Sequence, residues 1–207
     1  MFSLVTRSQF ASATRQLAIF ALVTILGPPV GILALQSTEA QELVVRDAPL
    51  KAAYIYNFAK YTRWPESNGF AESDKPFVCG VYGTTPVENY LQKIASKKTI
   101  QNVRIVIQHY QTPAEIQTPH ILFVSQHVAA EEYAQIVDRL RGKATILIGE
   151  SFRPTPADTV TFYIKDNRVR FQIDLDRVSD AKVQVSSKVL QLGRLVRGTT
   201  VVKSGNP

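Results

Sequence analysis

Three histidines, His109, His120 and His127, stand eleven and seven residues apart. Zinc sites built on one helix or one hairpin need closer, regular ligand offsets, so this spacing supplies no metal-binding module. Ser125 and His127 are near neighbours, but directly after a strand they read as the turn that opens a helix. Gly149-Glu150-Ser151-Phe152 approaches the strand-to-helix elbow of serine hydrolases and misses it, because Arg153 stands where the second glycine belongs. Asp174 and Asp176 form a close carboxylate pair, with helix capping or a surface role the simpler use. Gly80-Val81-Tyr82-Gly83-Thr84-Thr85 has neither the three glycines of a dinucleotide turn nor the lysine of a phosphate loop. No nucleophile, base and oxyanion donor assemble, so the chain reads as a non-enzyme with no catalytic residue, cofactor or metal.

The elements that must position these groups begin after an unusual leader. Arg7 and Arg15 precede the apolar run Leu17 to Leu35, and Thr38-Glu39-Ala40 offers a small-x-small cleavage site. Residues 1–40 therefore read as a secretory signal peptide, with an uncleaved membrane anchor as the competing reading of the same run. Cleavage leaves 22 basic against 16 acidic residues and no transmembrane span. That modest basic excess forms no dense stripe, and no finger spacing or RNA-binding aromatic motif accompanies it, which excludes nucleic acid as a partner. Cys79 is the sole cysteine, so no intramolecular disulfide can form, and its apolar setting in "FVCGVYG" reads as a buried thiol.

Along the mature chain, residues 41–47 read as a lead-in and residues 49–63 as a helix with Pro49 in its first turn. Leu50, Ala53, Tyr54, Phe58 and Tyr61 form its expected apolar face, and Lys51, Lys60 and Thr62 its polar one. Pro65 pushes Trp64 out of helical geometry, so the chain turns a forced corner there. Strands are expected at 77–82, 103–108, 121–124 and 145–148, and helices at 86–95 and 129–140. A capping box, Thr85 to Glu88, opens the first of these helices. Continuous apolar strands alternating with helices imply parallel strands covered on both faces. "TVTFYI" and "RVRFQID" around Lys165-Asp166-Asn167 then signal a late antiparallel hairpin, and Val185 to Val196 a final helix stopped by Gly198. The fold class is α/β, a single domain over residues 41–198 with a mostly parallel three-layer sheet, N- and C-terminal helices and a flexible tail, 199–207.

"LKAAYIYNFAKYTRWP", "FVCGVYG", "HILFVS", "RVRFQIDL" and "SSKVLQLGRLV" resemble, in this order, the YfiR/HmsC family, also described as a domain of unknown function. The helix with its Trp-Pro corner is the most specific part. The resemblance implies a periplasmic α/β protein that binds and represses the periplasmic sensor part of a membrane-bound diguanylate cyclase, lowering cyclic-di-GMP output and biofilm formation. It implies no catalysis. Its implied partner is the periplasmic domain of an inner-membrane signalling protein, with a homodimer also allowed. The family often carries paired cysteines where this chain has Cys79 alone, which marks a divergent member. A periplasmic small-molecule binding or sensor protein is the alternative.

Two sets of site residues follow. Alternation in "RVRFQID" turns Val169, Phe171 and Ile173 inward and Arg168 and Arg170 outward, and the preceding loop adds Phe152 and Arg153. These four are the expected partner-binding residues, because aromatics and arginine are enriched at interface hot spots. Asn57, Trp64, Tyr82, Thr84 and Thr85 form the second set, either a ligand pocket or a structural corner. In the corner reading the Asn57 amide bonds to the backbone of the following loop.

Overall fold

The computed structural model describes residues 31–65, 75–150 and 157–203, with backbone alone for residues 31–45. The sequence reading of a signal peptide falls largely outside them. Phe152 and Arg153 also lie outside them. In chain order the elements are α1 (Gly31–Lys60), β1 (Thr62–Arg63), β2 (Phe77–Tyr82), α2 (Val87–Ala95), β3 (Thr99–Ile100), β4 (Val103–Tyr110), β5 (Ile121–Val124) and α3 (Ala130–Leu140). They continue with β6 (Ile146–Glu150), β7 (Val160–Lys165), β8 (Arg168–Asp174), α4 (Leu175–Asp180), β9 (Gln184–Val185), α5 (Ser187–Leu190), β10 (Arg194–Arg197) and β11 (Thr200–Lys203).

Nine strands form one sheet in the order β11-β10-β8-β7-β6-β5-β2-β4-β3, and β1 pairs with β9 in a separate two-stranded ribbon. Strands β4, β2, β5, β6 and β7 run parallel to one another, with the antiparallel β3 beside β4 and the antiparallel β8 beside β7. Their faces divide by the strand period of two. Ile121, Phe123, Ile146 and Ile148 pack with Ile55 and Phe58 of α1 and Leu91 of α2 on one face. Leu122, Val124 and Leu147 pack with Tyr133, Ile136 and Leu140 of α3 on the other. Every residue of β5 is fully buried, which is why its sequence is apolar without alternation. The three-layer α/β architecture expected from the sequence is present, as is the late hairpin. There Asp166 and Asn167 take φ of 51° and 57°, the two left-handed positions a two-residue hairpin turn needs.

Several local expectations change. The first helix begins before Pro49, enclosing both it and the expected lead-in, and ends at Lys60, because Thr62 and Arg63 are drawn into pairing with Val185 and Gln184. Its buried face is Ala48, Lys51, Ala52, Ile55, Phe58 and Ala59, while Leu50 and Tyr61 are exposed. The observed face is rotated from the expected one because Lys51 turns inward to pair with Glu150. Thr85 does accept the Val87 N–H at 3.3 Å, but the reciprocal half of the capping box is missing, since Glu88 instead meets His109 Nδ1 at 2.9 Å.

The C-terminal helix is a single turn, α5. Leu195 and Val196 lie in β10, paired in parallel with Ile173 and Asp174 of β8. Gly193 permits this. A Cβ there would run into the Phe171 ring and stand 3.2 Å from the Phe171 carbonyl oxygen, so the chain approaches β8 as closely as backbone allows. Thr200–Lys203, expected in the tail, forms edge strand β11 against β10.

Candidate functional site

In doubly wound sheets ligands bind at the carboxyl ends of the strands, where the order reverses. Here β2 connects to β4 on one side and its other neighbour is β5, so the switch point lies between Tyr82 and Val124. The two loops at this point are tied to each other. Ser125 Oγ donates to the Thr84 carbonyl at 3.0 Å, and the Ser125 N–H donates to the Tyr82 carbonyl at 3.0 Å. Gly83, at φ +82°, leaves space that Val128 and Ser125 take up, so a Cβ there would stand 2.8 Å from Val128 Cγ2. Side chains and turn hydrogen bonds therefore hold the two loops tightly against each other at the switch point.

Beside the switch point lies a feature that the sequence reading missed. Lys51 Nζ on α1 donates to Glu150 Oε1 at the end of β6, at 2.8 Å, and both side chains are over nine-tenths buried. The Gln126 N–H approaches Glu150 Oε2 at 3.4 Å. The pair ties α1 to the carboxyl end of β6. The two residues are 99 positions apart, so only the unexplained lysine within a helix of buried alanines could have drawn attention to the site.

At the opposite, amino end of β2, Trp64 meets Phe77 and His120 edge-on at centroid distances of 5.5 and 5.6 Å, and Phe77 stacks on His120 at 4.6 Å. The Val78 N–H donates to His120 Nδ1 at 3.1 Å, which fixes the neutral tautomer with its proton on Nε2. Burial lowers the His120 pKa to about 4. Trp64 is half-buried. Asn57 is half-buried as well, and the following loop that its amide is expected to meet, residues 66–74, lies outside the described residues.

The second predicted set is thus divided. Trp64 stands at the start of β2, and Tyr82, Thr84 and Thr85 at and beyond its end, about 16 Å away at the usual strand rise. Tyr82 is itself buried, with its pKa raised by burial and by Glu132.

In the first set, Val169, Phe171 and Ile173 are buried at 5%, 3% and 0% exposure. Arg168 is exposed and Arg170 half-buried. In-register neighbours share a sheet face, so Lys165 beside Arg168, Tyr163 beside Arg170, and Arg194 beside Gln172 extend the same face. The sequence reading lacked Lys165 and Arg194, the latter because it was placed on a helix. The result is a band of one lysine and three arginines across β7, β8 and β10.

The other candidate chemical groups have local roles. Asp174 caps α4, accepting the Asp176 N–H at 2.9 Å. Asp176 pairs with Arg197 at 2.7 Å. The Cys79 thiol is buried and desolvation pushes its pKa up to about 12, which leaves it protonated and inert. Among the described residues, no three His, Cys, Asp or Glu side chains are grouped to hold a metal. None of their helices is long and apolar enough to cross a membrane.

A family model described as YfiR/HmsC-like matches residues 48–194, which run from the buried face of α1 to the start of β10. No curated protein matches the chain.

Proposed function

The chain belongs to the YfiR/HmsC family, a family of periplasmic regulators in cyclic-di-GMP signalling, and from that premise we propose that it binds and represses the periplasmic sensor part of a membrane-bound diguanylate cyclase. Lower cyclic-di-GMP output and less biofilm are the consequences. The family match over residues 48–194 carries this reading. It accords with the switch point, where Ser125 and Val128 pack against the Gly83 turn. In this reading the protein is exported, cleaved near Ala40, and works by contact rather than by catalysis.

The contact surface is the basic band of Arg168 and Arg170, with Lys165 and Arg194 beside them; Phe152 and Arg153, expected from the sequence to contribute to the contact, lie outside the described residues. Such a surface suits an acidic or mixed partner, since complementary charge fixes partner choice and speeds encounter. A homodimer can present the band twice. The test is to express the protein with its cognate cyclase and measure cellular cyclic-di-GMP for wild type, Phe152→Ala, Arg168→Glu and Arg170→Glu. Wild type should lower the nucleotide, and the variants should restore it while keeping their circular dichroism. Unchanged cyclic-di-GMP on expressing wild type overturns the regulatory function, whereas wild-type repression by all variants overturns only the surface.

A further inference from the structure

The chain turns away from α1 through Lys60, Tyr61, Thr62 and Arg63, and the antiparallel ribbon of β1 and β9 holds this turn in place. Thr62 stands opposite Val185, and Arg63 opposite Gln184. The Ser186 N–H donates to the Tyr61 carbonyl at 2.9 Å, closing the ribbon. On the other side the Gln101 side-chain amide reaches the Thr62 carbonyl at 3.5 Å. Gln101 sits in a turn with φ +48°, which brings its side chain over the ribbon. These residues enclose a groove of about 420 Å³, within the roughly 300–1,000 Å³ range of small-molecule sites.

The chemistry of the lining is one-sided. Lys60 and Arg63 are cationic, Gln101, Gln184 and Ser186 carry amides and a hydroxyl, and none of the eight lining residues is acidic. Lys60 and Arg63 form no ion pair among the described residues. The Lys60 ammonium lies 5.3 Å from the centroid of the Tyr61 ring, a contact that holds it at the rim without neutralising it. Thr62 and Val185 are turned toward the core, so the register puts Arg63 and Gln184 side by side on the outer face. A planar guanidinium suits a carboxylate, which it can engage through two parallel N–H bonds. Amides and hydroxyls both donate and accept, which suits the hydroxyl groups of a ligand.

We propose that the groove between β1 and β9 binds a small hydroxylated carboxylate, with Arg63 and Lys60 holding the carboxylate and Gln184 and Gln101 the hydroxyls. The site shares no residue with the basic band on β8 and is independent of the regulatory reading, because its test is direct binding.

Purified exported protein is titrated with D-glucuronate, D-glucose and inorganic phosphate, followed by calorimetry and by amide chemical shifts of residues 60–63 and 184–186. Glucuronate should bind saturably and shift those amides, with glucose at least tenfold weaker. Arg63→Gln and Lys60→Gln alter exposed side chains and should fold normally, and each should weaken glucuronate at least tenfold, while Gln184→Ala weakens it severalfold. No saturable binding of glucuronate overturns the proposal. Equal binding of phosphate reduces the groove to a general anion site and overturns the hydroxyl assignment. Unchanged affinity in both Arg63→Gln and Lys60→Gln, or shifts confined to other residues, also overturns it.

Discussion

Lys51 Nζ and Glu150 Oε1 meet at 2.8 Å between α1 and the end of β6, in a setting from which water is largely excluded. The attraction between two buried charges offsets their loss of hydration only while both are present. Removing one leaves the other uncompensated. Lys51→Met alone and Glu150→Gln alone are each expected to cost about 3 to 5 kcal/mol in urea unfolding. The double variant Lys51→Met/Glu150→Leu should recover most of that loss. A double variant as unstable as the sum of the singles would show that the pair is not a coupled unit.

His120 makes stability depend on pH. Its folded pKa is about 4 and its ordinary value is 6.5, so between these values the unfolded chain holds more protons than the folded one. Stability is therefore unaffected above pH 6.5, falls as pH drops from 6.5 toward 4, and loses up to about 3 kcal/mol from this group at 1.36 kcal/mol per unit. Imidazole resonances in an NMR titration should move near pH 4. A His120 midpoint near 6.5 would remove the effect.

Trp64 covers both His120 and Phe77. Trp64→Ala should lower stability by about 3 kcal/mol, the lower end of the range for deleting a buried aromatic because the indole is only half-buried. It should also let water reach His120 and raise its titration midpoint toward 6.5. Unfolding curves and the same NMR titration read the two effects separately. If stability is unchanged and the midpoint stays near 4, Trp64 is not a structural cover.

Gly193 lets β10 approach β8 over the Phe171 ring. Gly193→Ala adds one methyl group where there is no room and should cost about 1 to 3 kcal/mol. The loss should fall on the C-terminal segment first, seen as faster amide exchange in residues 194–197. A variant with wild-type melting and exchange would mean that Phe171 yields without cost.

The alternation in "RVRFQID", the continuous apolar run "ILFV" and the helical spacing of residues 130–140 specified the hairpin, the buried central strand and the helix over it. In each case burial follows from residues close in sequence, so the period is legible without the partner. Where the partner is distant the sequence was silent or misleading. Lys51 looks solvated on α1 until Glu150, 99 residues on, supplies its counter-charge. Leu192, Leu195 and Val196 keep a helical spacing, yet the unpaired edge of β8 offers hydrogen bonds that Gly193 allows the chain to reach. Arg63 and Gln184 could not be joined into one groove before the ribbon set their register. Local periodicity determined the elements, and tertiary pairing decided which charges are buried, which strand takes the last residues and which polar side chains converge. Hydrogen-bond register and charge compensation act between residues that only the folded chain brings together.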